Sequence, residues 1–166
     1  MTRLLGVDLG ERRVGIAISD GDGVPARPLT TLRRARDLAG DVTALRSLVE
    51  AHGIDELVVG LPLEASGESG RQAAITIAWA EAVAADLRLP LTFRDERLTS
   101  QLAEDRLGPM QRGRSGGPPS KTQRDAYRAR VDREAAAIIL QDELDTRAGR
   151  RSSMPRATDD APESST

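Results

Sequence analysis

The sequence has 166 residues, a formal net charge of −2, one histidine and no cysteine. This length predicts one domain with its own core, and the lack of cysteine excludes zinc–thiolate sites, thiol nucleophiles and disulfides. A Ser-His-Asp triad would need the lone His52, at the end of an expected helix. Any metal site must therefore be built from carboxylates, whose oxygens suit Mg²⁺ or Mn²⁺.

The chain begins with an expected hairpin. Residues 3–9 are almost entirely apolar, as in a strand buried on both faces, and residues 13–19 alternate branched apolar residues with small or polar ones. The short connection between them predicts antiparallel pairing. Residues 28–33 are expected to form a third strand.

Helices and strands alternate after this point. The apolar spacing predicts helices over residues 37–52, 71–87 and 99–107, and strands over residues 56–61 and 91–94. Residues 108–127, rich in Gly, Pro and Arg, are expected to form a mobile loop before a last helix over residues 128–147. Residues 148–166 have almost no apolar content, which predicts a disordered tail after a domain of residues 1–147.

This order of elements predicts an α/β fold, a five-stranded mixed sheet with helices on both faces. Parallel βα units place their working surface at the carboxyl ends of the strands. No stretch approaches the roughly 20 apolar residues of a membrane helix, and the first residues are not typical of a secretory signal. We therefore expect a cytoplasmic protein with no membrane partner.

The charge distribution is uneven although the net charge is small. Residues 106–133 contain eight basic and two acidic residues. This excess is suited to a phosphate backbone, and a solvated, flexible loop is the alternative explanation.

Acidic residues occupy three positions where chemistry is plausible. Asp8 lies in an apolar strand, where burying a charge is costly unless a metal, a partner or solvent meets it. Asp95 and Glu96 follow the fifth strand, and neighbouring residues there point to opposite faces, so both should not bind one metal. Asp132 lies near the start of the last helix, close to an Ala-rich face. The alternatives are a turn acceptor, a surface ion-pair patch and a helix-dipole contact, respectively.

Four motifs then occur in a recognisable order. They are GVDLG leading into RVGIAISD, VGLPL with a following Gly, DERLTS, and VD followed by AA and IIL, within residues 4–144. With these motifs the sequence resembles the YqgF/RuvX family of Holliday-junction-resolvase-like proteins and pre-16S rRNA nucleases. The resemblance implies a ribonuclease H-like fold, phosphodiester hydrolysis with Mg²⁺ or Mn²⁺, and a role in maturing the 5′ end of 16S rRNA.

The resemblance also implies a set of catalytic acids. Asp8, Glu96 and Asp132 match the family's catalytic and metal-binding acids, with Asp95 as the second choice within its motif. Related resolvases carry their second acid on the strand that has Gly60 here, so Glu64, just beyond that strand, is an alternative ligand. The loop over residues 109–119 is longer than the family's usual connection, and the tail is an addition.

Basic residues near these acids are expected to hold the substrate. They are Arg12, Arg13 and Arg97 for the flanking phosphates, and Arg112, Arg114 and Lys121 for electrostatic closure of the loop on the strand. The three aromatic residues are scattered, so a base-stacking platform is not expected.

Three other functions stay open from the sequence. The first is resolution of branched DNA junctions, and the second is a non-catalytic module that binds RNA or ribosomal particles. The third, a nucleotide-binding fragment of the actin/hexokinase type, is disfavoured because the chain is short and lacks a P-loop. The sequence leaves open whether the protein is a monomer or a dimer.

Overall fold

The computed structural model of the chain describes residues 2–21, 23–63, 70–96 and 99–154. The strands are β1 Leu4–Leu9, β2 Arg13–Ser19, β3 Arg27–Arg33, β4 Glu56–Leu61 and β5 Leu91–Asp95, and the helices are α1 Leu38–His52, α2 Arg71–Leu87, α3 Thr99–Leu107 and α4 Lys121–Ser153. In these described ranges, no helix is both long enough and apolar enough to cross a membrane.

The five strands form one sheet in the order β3-β2-β1-β4-β5. The pairs β1–β2 and β2–β3 are antiparallel, whereas β1–β4 and β4–β5 are parallel. The predicted five-stranded mixed sheet is confirmed. The carboxyl ends of β1, β4 and β5 therefore meet at one edge, where Asp8 and Glu96 lie.

The two faces of the sheet carry different helices. On one face, α1 and α2 pack on branched side chains such as Leu5, Val7 and Ile16. On the other face, α4 packs through alanines and leucines, including Ala136 and Leu140. Helices thus cover both faces, as predicted.

Glycines let α4 approach the sheet closely. A Cβ atom added at Gly6 would lie 2.8 Å from Cβ of Leu140, and one added at Gly15 would lie 2.0 Å from the carbonyl oxygen of Asp132. No side chain fits in this space, so the α4 backbone rests directly on β1 and β2. This close contact places Asp132 beside the strand that carries Asp8.

The largest departure from the predicted elements concerns α4. The helix begins at Lys121 rather than residue 128, because Ser120 and Gln123 form a capping box. It ends at Ser153 rather than residue 147, so residues 148–153 of the expected tail are helical. Arg, Ala and Gln have high helix propensity, so this segment is helical although it has no apolar stripe. Tyr127 also packs against the contact between α3 and α4. Residues 155–166 lie outside the described residues, so disorder there stays a prediction.

Candidate active site

Asp8 lies near the end of β1, opposite Gly15 of β2. Because side chains alternate along a strand, it shares the α4 face with Leu4 and Gly6, whereas Leu5 and Val7 face α1 and α2. Its carboxyl group is hydrogen-bonded to that of Glu96. Asp8 therefore meets another acid where it leaves the apolar strand.

Glu96 directly follows β5 and is fixed by its backbone. Its N–H donates to the carbonyl of Leu61 at 3.1 Å, and its carbonyl accepts from the N–H of Thr99 at 3.0 Å. Its side chain lies over β4, because a Cβ atom added at Gly60 would be 2.5 Å from Oε2 of Glu96. Its neighbour Asp95 is exposed, so Glu96 is the acid of this motif that contacts Asp8.

Asp132 lies on α4 and is paired with a base. Nε of Arg13 donates to Oδ2 of Asp132 at 2.5 Å, and the two side chains are 28% and 24% exposed. The charge of Asp132 is close enough to raise the pKa of Asp8. The fold thus brings the three predicted acids into one region, with the third acid held by Arg13.

The two hydrogen-bonded acids have strongly altered pKa values. Burial raises the pKa of Asp8 to about 6, with the Glu96 hydrogen bond lowering it and the Asp132 charge raising it. Burial also raises the pKa of Glu96 to about 9, helped by the charge and hydrogen bond of Asp8 and by the charge of Asp95. At neutral pH the two carboxyl groups hold one proton between them, so the pair carries one negative charge.

The acids are not gathered as a ready set of metal ligands. Within the described parts of the chain, no three His, Asp or Glu side chains form a group that could hold a metal ion. Two carboxyl groups instead share a proton, and the third forms an ion pair with Arg13. One proton is thus shared between Asp8 and Glu96, whose two carboxylates would otherwise repel each other.

The structure also locates the other predicted residues. Arg12 and Lys121 are exposed and line a groove beside Arg13, and Arg112 and Arg114 are exposed in the loop before α4. Arg97 and Glu64 lie outside the described residues.

The sequence did not predict that two glycines allow close contacts in the site, namely Gly15 under Asp132 and Gly60 under Glu96. An isolated glycine within a strand of branched residues was the available signal, since it often marks a close backbone approach.

Comparison with known proteins agrees with this fold. A model of the RuvX family, described as Holliday junction resolvase, matches residues 2–146. A protein of Chloroflexus aurantiacus named "Putative pre-16S rRNA nuclease" is 40% identical over 162 residues, covering 98% of this chain and 96% of that protein. A protein of the same name from Acaryochloris marina is 44% identical over 141 residues, covering 85% of this chain and 90% of the other.

A solved structure shares the architecture at low sequence identity. Thermus thermophilus RuvC in complex with a Holliday junction substrate matches with a TM-score of 0.52 at 12% identity, covering 90% of this chain and 97% of that one. The predicted ribonuclease H-like fold is thereby confirmed. The chain belongs to the RuvX family and is a nuclease acting on phosphodiester bonds.

Proposed function

We propose that this protein is a cytoplasmic, metal-dependent nuclease that hydrolyses phosphodiester bonds of precursor 16S rRNA during maturation of its 5′ end. The names of the relatives support this substrate. The observation that carries the catalytic assignment is the hydrogen-bonded pair of Asp8 and Glu96.

Glu96 is the acid we assign as the partner of Asp8. Strand β4 has no acid at Gly60, and the carboxyl oxygen of Glu96 occupies the space that a side chain at position 60 would fill. Glu96, which follows β5, thus places its carboxyl group above Gly60 of β4. This contact favours Glu96 over the exposed Asp95, while Glu64 stays the alternative outside the described residues.

The donor types in this region fit a divalent cation, although Asp132 is paired with Arg13. The donors are all carboxylates, which suit Mg²⁺ or Mn²⁺, and a cation would take the place of the proton that Asp8 and Glu96 share. Asp8 and Glu96 would hold the metal, with Asp132 as the third carboxylate. When bound, the metal would activate water and stabilise charge at the scissile phosphate.

The protein groups have separate tasks in this mechanism. Asp8 and Glu96 share one proton at neutral pH, so the pair carries one negative charge. Arg13 fixes the carboxylate of Asp132. Arg12 and Lys121 lie exposed beside this region, where their charges would attract the flanking phosphates.

The test is a cleavage assay that offers precursor 16S rRNA and a four-way DNA junction side by side, each with Mg²⁺ and with Mn²⁺. Asp8→Asn should lower metal-dependent cleavage by about 100-fold or more, the scale on which loss of one catalytic group acts. Asp86→Asn, which changes an exposed acid of α2, should cleave like wild type. Full activity of Asp8→Asn would refute the catalytic assignment.

The same assay separates the two other functions. Cleavage of the junction without cleavage of the RNA would favour a resolvase, a function supported by the description of the family model. RNA binding that persists without metal, with no cleavage under any condition, would favour a non-catalytic module.

A further inference from the structure

An open groove runs beside the candidate active site, between the edge strand β3 and the first turns of α4. It has a volume of about 660 Å³ and is lined by five basic side chains and two acidic ones. The basic residues are Arg12, Arg13, Arg33, Arg34 and Lys121, and the acidic residues are Glu11 and Asp125. Arg13 also holds Asp132, so the groove begins at the acids.

The floor and walls of the groove are held by specific contacts. The Oγ1 atom of Thr31 on β3 donates to the carbonyl of Ala129 on α4 at 2.5 Å, which joins the two walls. Arg34 donates through Nε to Asp41 at 3.1 Å and through Nη1 to the carbonyl of Gly10 at 2.9 Å. The walls of the groove are thus held by contacts within the fold.

The arginines at this edge outnumber the acids that neutralise them. Arg13 pairs with Asp132 and Arg34 pairs with Asp41. Arg33 lies directly opposite Arg13 across the β2–β3 pair, and like charges in that position are unfavourable. Among the described residues, Arg12, Arg33 and Lys121 form no salt bridge. Three exposed cations that pair with no acid of the described residues therefore lie along one groove.

We propose that this groove binds the phosphodiester backbone of a single strand that leads away from the scissile phosphate, with Arg33 as a contact residue beside Arg12 and Lys121. The inference rests on the proposed function, because it takes the acids as the point of cleavage. Positive side chains spaced along a groove suit a polyanion that passes several of them in turn.

The size and chemistry of the groove favour one strand without sequence preference. A volume of about 660 Å³ falls in the range of pockets for drug-sized ligands, which accommodates a short piece of one phosphodiester backbone. None of the described residues that line the groove is aromatic, so these residues offer no stacking on bases. Recognition would come from phosphate charge alone, and hence would show strong salt dependence.

The test measures binding of fluorescein-labelled octauridylate, octadeoxyuridylate and a blunt DNA duplex to the full chain in EDTA, by anisotropy at several salt concentrations. The double variant Arg12→Gln/Arg33→Gln is compared with Arg46→Gln/Arg88→Gln, which removes the same charge from the α1–α2 side of the molecule. Loss of two contacts to a single strand should weaken binding roughly 10-fold and reduce the slope of log K against log salt by about 1.4. The control variant should bind like wild type.

Binding of either single strand with this loss supports the groove, and the tighter of the two shows which sugar it prefers. Equal binding by both double variants would overturn the proposal, as would tighter binding of the duplex or no binding by wild type. EDTA makes the result independent of any metal that the acids hold. Weakened binding together with full activity of Asp8→Asn would refute the catalytic site and keep the groove, and the reverse pattern would refute only the groove.

A second measurement locates the strand directly. The chain has no cysteine, so Ala35→Cys places a single thiol in the groove lining and Ala85→Cys places one on the exposed side of α2. An environment-sensitive fluorophore at position 35 should change its emission on adding octauridylate, whereas one at position 85 should not. Equal responses at both positions would contradict a strand in the groove.

Discussion

The two faces of the sheet are packed in opposite ways. The face under α1 and α2 is filled by Leu, Ile and Val side chains with Trp79. On the other face, the distance between the sheet and α4 is short, because glycines of the strands contact alanines and the backbone of the helix. Bulky burial on the first face supplies most of the hydrophobic stabilisation. Close approach on the second face brings Asp132 next to Asp8. One face thus stabilises the fold, and the other positions the acids.

One acid on each face, the buried Asp41 and the half-buried Asp8, shows the difference most clearly. Asp41 on α1 is 5% exposed and accepts from Nε of Arg34 at 3.1 Å, the N–H of Ala35 at 2.8 Å and Nε1 of Trp79 at 3.1 Å. Asp8 instead meets the acid Glu96, and its pKa is raised to about 6, chiefly by burial. An acid whose hydrogen bonds are all satisfied stabilises the fold. Two acids that face each other repel when both are ionised, and a cation between them would relieve that repulsion.

Substituting these two acids should have opposite effects on stability. Asp41→Asn replaces a carboxylate that accepts from three donors with a neutral amide, whose NH₂ group cannot accept. We expect it to lower the free energy of unfolding by about 3 kcal/mol, as for other broken buried pairs. Asp8→Asn removes a poorly accommodated charge, so the metal-free protein should be at least as stable as wild type. Urea unfolding in EDTA measures both, and an equal loss in the two variants would contradict the comparison.

Adding one methyl group under α4 should cost less than breaking the Asp41 network. Gly15→Ala pushes a Cβ atom to 2.0 Å from the Asp132 carbonyl oxygen, so α4 must shift. We expect a loss of about 2 kcal/mol in unfolding free energy, the scale of an overpacked core, together with reduced cleavage. Gly149→Ala on α4, where no atom lies within 4 Å of the added Cβ, is the control and should stabilise by about 0.5–1 kcal/mol.

The pH dependence of the free energy of unfolding should come mainly from Asp8 and Glu96, on the α4 face of the sheet. The folded pKa values of Asp8 and Glu96 lie near 6 and 9, above those of the unfolded chain near 4. The folded state therefore binds more protons between these limits, so the metal-free protein should lose stability as pH rises towards 9. The slope is at most about 1.4 kcal/mol per pH unit for each group.

The variant Glu96→Gln isolates this contribution. Unfolding midpoints measured in EDTA from pH 6 to pH 9 should fall less steeply for Glu96→Gln than for wild type. Parallel slopes for the two proteins would show that Glu96 does not hold the proton.

Some of this structure could be predicted from the sequence and some could not. The bounds of β2, β4 and α2 agree with their apolar patterns, because burial on known faces dictates those patterns. The start of α4 was missed, although Ser120 and Gln123 are a capping-box pair, because the Arg-rich stretch after them has no apolar stripe.

The partners within the site depend on tertiary packing. Asp8 could be singled out locally, because a charge in an apolar strand needs a partner. The pairing of Arg13 with Asp132, across 119 residues, follows from where α4 crosses β2, and no local pattern encodes that crossing. The position of the Glu96 side chain above Gly60 likewise depends on how the chain turns after β5.

Thermal unfolding with and without Mn²⁺ at pH 7 tests the central claim that the paired acids form a cation site. A ligand present at about 100 times its Kd stabilises the folded state by about 2.7 kcal/mol, so Mn²⁺ should raise the Tm of wild type. Asp8→Asn and Glu96→Gln should lose most of this increase, while Asp86→Asn should keep it. An equal increase in all four proteins would place the metal elsewhere and contradict the claim.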